Sequence, residues 1–174
     1  MIANSTTFKA RLVNGWMWWS LGGAIALFDF ATKQMVRINM PQGDRIPLTD
    51  FFNLVHFSNP GAAFSMLASA SGWQRYFFTT IALLVSAWIV WMLSSDLSRI
   101  EAIAYTLVLG GALGNAADRI MHGAVTDFLD FYWREWHWPA FNVADIAICG
   151  GAVALMTAAF FGADSREKQQ PSLN

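Results

Sequence analysis

The chain has 174 residues, which suggests a single domain, and 55% of them are apolar whereas only 13% are charged. A net charge of -1 without a basic stripe excludes a nucleic-acid partner, and a single cysteine, Cys149, excludes an internal disulfide. Nine tryptophans and fourteen phenylalanines complete a composition that is typical of a membrane protein.

Four nearly uncharged segments approach the roughly 20 residues that cross a bilayer. Within one membrane-embedded domain spanning residues 1–174, they predict transmembrane helices over about 12–34, 73–93, 100–120 and 141–161, followed by a disordered polar tail over about 164–174. Lys9 and Arg11 before the first segment also fit a cleaved signal peptide. Because the apolar run continues past the possible cleavage site as far as Asp29 and Lys33, we interpret it as a retained helix.

The connection between the first two helices contains a second structural signal. Residues 46–57 are rich in Phe, Leu and Val, and the turn sequence Asn59-Pro60-Gly61 follows them. Such a run predicts a short strand or hairpin that packs on the helices or lies at the membrane surface. We therefore expect a small extramembrane β-sheet, and we interpret residues 119–140 as a loop of medium length.

Polar residues collect at one face of the predicted bundle. With four spans, the carboxyl ends of the first and third helices share a membrane face with the amino end of the fourth. A charge at membrane depth costs roughly 3 kcal/mol, so residues of this kind are functional candidates by default. The candidates on the helix ends are Asp29, Lys33, Asn115, Asp118, Arg119, Asn142 and Asp145, and Asp127 and Asn59 lie in the connections on the same side.

Sequence spacing separates these acids into two kinds. Asp29 lies four residues before Lys33, and Asp118 lies beside Arg119, so both could form ion pairs that fasten helices. Asp127 has no cation close in sequence, and Asp145 has none either, so a purely structural role explains them less well. Three asparagines, Asn59, Asn115 and Asn142, are candidates for orienting other groups by hydrogen bonds. Gly110 and Gly114 form a GxxxG motif, which indicates close helix packing.

Two close carboxylates support one specific chemistry. Because both cannot ionise easily, they share a proton, so that one acts as a general base on water while the other polarises a carbonyl, as in aspartic proteases. A proton-coupled transporter also uses buried acids, and a structural membrane subunit would use them to fasten helices. The residues alone leave these three functions open.

Five motifs in order resemble those of signal peptidase II, the bacterial lipoprotein signal peptidase. They are Asp29-Phe30-Ala31-Thr32-Lys33, Asn59-Pro60-Gly61-Ala62-Ala63-Phe64, Gly110-Gly111-Ala112-Leu113-Gly114-Asn115-Ala116-Ala117-Asp118-Arg119, Val125-Thr126-Asp127-Phe128 and Phe141-Asn142-Val143-Ala144-Asp145. Phe30 departs from the family pattern, where a polar residue such as Gln is expected. The resemblance implies an all-α membrane protein of four transmembrane helices with a small extramembrane β-sheet, the β-cradle, and a short periplasmic helix.

The resemblance also implies an activity and residue roles. The family removes the signal peptide from prolipoproteins, cleaving before a diacylglyceryl-modified cysteine, and needs no metal or cofactor. By motif, Asp127 and Asp145 are the catalytic dyad, and Asp118 beside Arg119 is a supporting ion pair. The residues that would orient substrate or dyad are Asn59, Gly61, Asn115, Arg119 and Asn142, and Asp29 and Lys33 would support the site.

Cellular placement follows mainly from the same resemblance. We expect a monomer in the bacterial inner membrane with both termini in the cytoplasm and the active site near the periplasmic face. Its partners would be lipid-modified prolipoproteins and membrane lipid, with no nucleic acid. The charge distribution does not determine the orientation by itself, because five Lys or Arg lie on the side of the termini and six on the other.

Overall fold

The computed structural model describes residues 5–61 and 72–167, with the surroundings of side chains in 15–61 and 72–160. Its elements, in chain order, are α1 (Ser5–Asn39), β1 (Arg45–Thr49), β2 (Phe52–Asn59), α2 (Trp73–Met92), α3 (Arg99–His122), β3 (Val125–Trp133), β4 (Trp136–His137) and α4 (Val143–Glu167). α1 is longer than its predicted segment at both ends, and α4 continues to Glu167 rather than ending at 161. Residues 168–174 of the predicted tail and Ala62, Ala63 and Phe64 of the second motif lie outside the described residues.

Three of the helices are long and apolar enough to cross a membrane: α2, α3 and the Val143–Phe160 part of α4. α1 is less apolar because its first half holds three tryptophans and its second half contains Asp29 and Lys33. All the same, large apolar side chains point outward from α1, α2 and α4, including Leu27, Phe28, Leu84, Trp91, Met156 and Phe160. Such an apolar exterior indicates a multi-pass membrane protein.

α3 lies at the centre of the helices. It packs against α1, α2 and α4, and 56% of its apolar segment is buried compared with 11% for α2 and 17% for α4. A Cβ added at Gly110 would lie 2.6 Å from Cβ of Ile25, and one at Gly114 would lie 2.5 Å from Oδ2 of Asp29. The interpretation of the GxxxG motif as a close-packing motif is therefore confirmed, because any side chain at these two positions would push α1 away.

The ends of α3 are fixed by local sequence. Ser98 and Glu101 form a capping box in which each side chain accepts a hydrogen bond from the backbone N–H of the other residue. Gly123 ends the helix at φ 81°, a left-handed conformation that glycine adopts without steric cost. β3 begins two residues later, so this turn brings the first residues of β3 against the last turn of α3.

The four strands form one antiparallel sheet in the order β1-β2-β3-β4. The hairpin predicted over residues 46–57 is confirmed as β1 and β2, whereas the loop predicted over 119–140 is wrong for 125–133, which form β3. β3 shows no apolar alternation because Thr126, Asp127 and Asp130 are all buried in it. The short extramembrane helix that the family resemblance implies is not among the elements within 5–61 and 72–167.

A polar cluster that the sequence did not indicate joins all four strands of this sheet. Asp130 is 2% exposed and accepts a hydrogen bond from Nδ2 of Asn53 on β2 at 2.8 Å. Its Oδ1 lies 2.9 Å from Nδ1 of His137 on β4, and its Oδ2 lies 3.7 Å from the guanidinium of Arg45 on β1. The buried carboxylate therefore has partners on each neighbouring strand and fixes their register.

Gly114→Ala tests the close approach of α1 and α3. We expect the free energy of unfolding to fall by about 1–3 kcal/mol, since the added methyl group would meet the buried Asp29 carboxylate. The measurement is thermal or denaturant unfolding of the purified protein in detergent. Gly150→Ala is the matched control: no atom lies within 4 Å of its added Cβ, so the change from glycine to alanine in helix α4 should be neutral or stabilising. A Gly114→Ala protein as stable as the control would contradict this account of the packing.

Candidate active site

A buried ion pair connects three helices at the base of the site. Lys33 and Asp29 are both 0% exposed, and Nζ of Lys33 lies 2.6 Å from Oδ2 of Asp29, one helical turn earlier on α1. The other oxygen of Asp29 accepts the backbone N–H of Ala144 on α4 at 2.7 Å. Nζ of Lys33 also donates to Oδ1 of Asn115 on α3 at 2.8 Å. The predicted pair is thus present, and it holds α1 against both α3 and α4.

Asn115 connects Lys33 to Asp145 through two hydrogen bonds. Because its carbonyl oxygen accepts from Lys33, its amide nitrogen faces the other way and donates to Oδ1 of Asp145 at 2.9 Å. Asn115 is 8% exposed, so little water competes for either contact. The asparagine therefore orients one candidate catalytic carboxylate and is itself oriented by a buried cation.

Asn142 bonds to both candidate catalytic residues. It precedes α4, where its Oδ1 accepts the backbone N–H of Asp145 at 3.0 Å and its own N–H donates to Oδ2 of Asp145 at 3.2 Å. This reciprocal pair is the geometry of a capping box. The side-chain amide nitrogen of Asn142 donates to Oδ1 of Asp127 at 2.8 Å. One fully buried asparagine thus caps the amino end of α4 and connects Asp127 to Asp145 by hydrogen bonds.

Asn59 completes the coordination of Asp127 from the end of β2. Its amide nitrogen donates to Oδ2 of Asp127 at 2.9 Å, and its Oδ1 accepts the backbone N–H of Gly61 at 2.9 Å. Gly61 has φ 117°, and a Cβ there would lie 2.5 Å from the ring of Phe78. Glycine is required at this position both by the backbone conformation and by the packing against α2.

The surroundings of Asp127 favour its protonated form. The side chain is 4% exposed, and burial, the largest effect, raises its pKa to about 6. The negative charge of Asp145 raises the pKa as well, whereas hydrogen bonds from Asn59 and Asn142 and the charge of Lys33 lower it. A carboxylic acid with a pKa near 6 can exchange a proton close to neutral pH, as a general acid or base requires.

Asp118 and Arg119, which both lie within the described residues, do not form the expected ion pair. Asp118 is 1% exposed and pairs with Arg37, with its Oδ2 also 3.8 Å from Nζ of Lys33. Adjacent residues on a helix point about 100° apart, so Arg119 faces a different direction from Asp118. Its guanidinium donates to the carbonyl of Asn115 at 3.5 Å and lies 5.4 Å from the ring centre of Phe78.

Arg119 faces the two candidate catalytic carboxylates. It lies close enough to Asp145 and Asp127 to interact with both charges, so the two acids that lack a cation in sequence have one in space. Nε of Arg119 is buried and has no hydrogen-bond partner within the described part of the chain. The guanidinium therefore retains a free donor beside the dyad.

Some contributors to the site were not found from the sequence. The backbone N–H groups of Thr126 and Ala144, which donate to Asp118 and Asp29, carry no sequence signal. Arg37 could have been found, because it lies four residues after Lys33 and therefore on the same face of α1. The other predicted residues come together at one end of the helices. There β2 and β3 meet α1, β3 meets α3, and Asn142, just before α4, binds Asp127.

An apolar groove opens beside Asp145. It has a volume of about 510 Å³ and runs along α4. Its lining residues are Trp138, Phe141, Asp145, Ile146, Cys149, Gly150 and Val153. Asp145 is the one acidic residue among them, so a hydrocarbon-rich ligand could lie along α4 with a polar group at the carboxylate.

Comparisons with known proteins agree with this architecture. The family model described as signal peptidase (SPase) II matches residues 21–161. A lipoprotein signal peptidase of Serratia marcescens is 47% identical over 87% of this chain and 89% of its own length, and one of Histophilus somni strain 2336 is 48% identical over 84% and 91%. Two solved bacterial membrane enzymes, determined by the in meso method at 2.3 Å and 1.9 Å, are 26% and 27% identical.

The similarity to these two structures extends over nearly the whole architecture. The first superimposes with a TM-score of 0.75 over 91% of this chain and 94% of that chain, the second with 0.71 over 82% and 92%. Since the family model covers most of the chain and the sequence relatives exceed 45% identity, the match includes the helices and the sheet that carry the site. The chain belongs to the signal peptidase II family of aspartic-type proteases.

Proposed function

We propose that this chain is an intramembrane aspartic endopeptidase that removes the signal peptide from diacylglyceryl-modified bacterial prolipoproteins, cleaving before the lipid-modified cysteine. Membership of the signal peptidase II family and the name shared by its relatives, lipoprotein signal peptidase, support this substrate class. The observation that carries the mechanism is the placement of Asn142, which hydrogen-bonds to both Asp127 and Asp145. One residue thus binds both carboxyl groups, that of Asp127 through its side-chain amide and that of Asp145 through its backbone N–H, which suits them to share a proton.

The proposed dyad is asymmetric. Asp127 is more buried than Asp145, its pKa is raised to about 6, and its partners Asn59 and Asn142 are neutral amides. Asp145 lies in the first turn of α4, where the helix dipole favours an anion, and accepts from Asn115. In the resting enzyme we therefore assign the shared proton to Asp127, the more buried of the two carboxyl groups.

This assignment gives each residue a step in hydrolysis. Asp145 takes a proton from water, the water oxygen bonds to the scissile carbonyl carbon, and Asp127 donates its proton to the carbonyl oxygen. Collapse of the tetrahedral intermediate breaks the C–N bond, and the proton held by Asp145 passes to the leaving nitrogen, while Asp127 regains its own. Arg119, whose guanidinium interacts with both carboxylates, would orient the substrate or the dyad.

The apolar groove beside Asp145 suits a substrate that stays in the bilayer. A signal helix or an acyl chain could lie against α4 while the cleavage site reaches the carboxylates at the end of the helix. A proton-coupled transporter would place acids through the membrane thickness, whereas Asp29, Asp118, Asp127 and Asp145 gather at one end of the helices. A structural membrane subunit would need acids only to fasten its helices, and it would not need two acids joined through Asn142.

We further propose that α1 is the fourth transmembrane helix and that the protein is a monomer in the inner membrane. Both termini would then lie in the cytoplasm, with the sheet and the dyad at the periplasmic face in contact with membrane lipid. The length of α1, 35 residues, exceeds what a bilayer requires, and its exposed Leu27 and Phe28 support contact with lipid.

Asp127→Asn and Asp145→Asn test the dyad. We expect each variant to lose at least about 10³-fold in the rate of prolipoprotein cleavage, because neither amide can carry the shared proton. The measurement is cleavage of a diacylglyceryl-modified prolipoprotein by the purified enzyme in detergent, with and without an inhibitor of the globomycin type. Asp44→Asn, the same change at an exposed acid just before β1, should retain activity. Cleavage at the normal rate by either dyad variant would refute the mechanism.

Asn59→Ala tests the electrostatics of Asp127. The hydrogen bond from Asn59 stabilises the ionised carboxylate, so its removal should raise the pKa of Asp127 further. The alkaline limb of the pH–rate profile should move to higher pH, since Asp127 keeps its proton longer, and kcat should fall roughly 10-fold. Asn39→Ala, which removes an exposed amide from the end of α1, is the control. A limb that stays in place or moves to lower pH would contradict the assignment.

Labelling of single cysteines tests the orientation. In a Cys149→Ser background, Asp50→Cys in the turn between β1 and β2 should react with a membrane-impermeant maleimide in intact spheroplasts. Asp96→Cys, in the connection between α2 and α3, should react only after the membrane is permeabilised. Neither side chain is buried, so the contrast reports the side of the membrane rather than burial. The opposite pattern would reverse the proposed orientation while leaving the dyad unaffected.

A further inference from the structure

Arg37 lies in the last turn of α1, outside the motifs that carry the family resemblance, yet its side chain reaches the site. Its Nη2 donates to Oδ1 of Asp118, and its side chain is only 14% exposed. A second guanidinium nitrogen, Nη1, contacts Oε1 of Gln34 at 3.4 Å. The guanidinium is therefore held in place between a neighbouring residue on its own helix and a buried carboxylate on α3.

The other oxygen of Asp118 holds the strand that carries Asp127. Oδ2 accepts the backbone N–H of Thr126 at 2.8 Å, and Thr126 directly precedes Asp127. On the β2 side, Thr126 is opposite Ser58 in the sheet. The start of β3 is thus fixed by β2 on one edge and by a carboxylate of α3 on the other.

Three basic side chains lie near Asp118, and Arg37 differs from the other two in its contact. Lys33 from α1 lies 3.8 Å from Oδ2, but its shorter contacts are with Asp29 and Asn115. His122 from α3 lies 3.4 Å from Oδ1 and is about one-third exposed. Arg37 is therefore the cation with a direct charge-assisted hydrogen bond to this carboxylate in the described part of the chain.

We propose that Arg37 is a positioning residue for Asp127, because through Asp118 it fixes the first peptide groups of β3 and neutralises the carboxylate nearest to them. The inference rests on the proposed catalytic role of Asp127. Without Arg37, Asp118 would lose the cation that is hydrogen-bonded to it. The strand would then be less firmly held, and an additional uncompensated charge would act on the dyad.

Several other charged groups surround Asp118 and the dyad. They are Asp29 and Lys33 on α1, Arg119 and His122 on α3, and Asp145 itself on α4. Among them, His122 lies 3.4 Å from the same oxygen of Asp118 that Arg37 binds, and it remains beside this carboxylate when Arg37 is replaced.

The test is the pH–rate profile of four variants in detergent, using the lipid-modified prolipoprotein as substrate. For Arg37→Gln we expect both limbs to move to higher pH and kcat to fall about 10-fold, with KM within twofold, because the dyad is displaced and sees an added negative charge. For Asp118→Asn we expect the limbs to move to lower pH, since Arg37 then lacks its counterion. The double variant should return the limbs close to those of the wild type, and Arg37→Lys should retain them.

The matched control is Arg99→Gln, which removes the same charge from an exposed side chain at the opposite end of α3 from Asp118. It should leave the limbs unchanged. If Arg37→Gln does not fold, the shift in the pH–rate profile of Asp118→Asn tests the inference by itself. That variant retains an acceptor for the N–H of Thr126. Limbs that coincide with those of the wild type in Arg37→Gln or, failing that, in Asp118→Asn would overturn the inference, even if thermal stability falls. Full activity of Asp127→Asn would instead refute the dyad on which the inference rests.

Discussion

The site depends on one buried ammonium group. Lys33 has no exposed surface, and oxygen atoms of Asp29, Asn115 and Asp118 lie within 4 Å of its Nζ. Taking a charge out of water costs several kcal/mol, so the cation is tolerated only because its hydrogen-bonding groups are matched by nearby acceptors. Those acceptors come from two helices, and a third helix joins through the backbone N–H of Ala144. The relative placement of α1, α3 and α4 is therefore set by the coordination of Lys33.

The same requirement explains why α3 is rich in small residues. A charged group surrounded by protein needs its partners at hydrogen-bond distance, and the helix backbones must approach closely for this to happen. Gly114 lies against Asp29, and the backbone around Gly111 lies against Ala144. Glycine weakens a helix in isolation by about 1 kcal/mol relative to alanine, so its presence here indicates that close approach outweighs helix propensity.

Sequence reasoning found the parts of this arrangement that have local signals. The apolar segments predicted the helices, and the run over 46–57 predicted the hairpin of β1 and β2. It did not find β3, because a strand with Thr126, Asp127 and Asp130 buried lacks the apolar alternation on which strand prediction relies. It also paired Asp118 with Arg119 from adjacency alone. The actual partner, Arg37, is 81 residues away, and only the packing of α1 on α3 brings the two together.

The two acids of the proposed dyad belong to different kinds of structure, since Asp127 is on a strand and Asp145 is on a helix. Helix α4 is apolar enough to enter a bilayer by itself, whereas β3 is held by β2 on one edge and by Asp118 of α3 on the other. A newly inserted chain whose sheet has not yet docked therefore holds one carboxylate in its working environment and leaves the other in water. Proteolytic competence therefore requires both the helices and the docked sheet, and neither part of the fold could supply it alone.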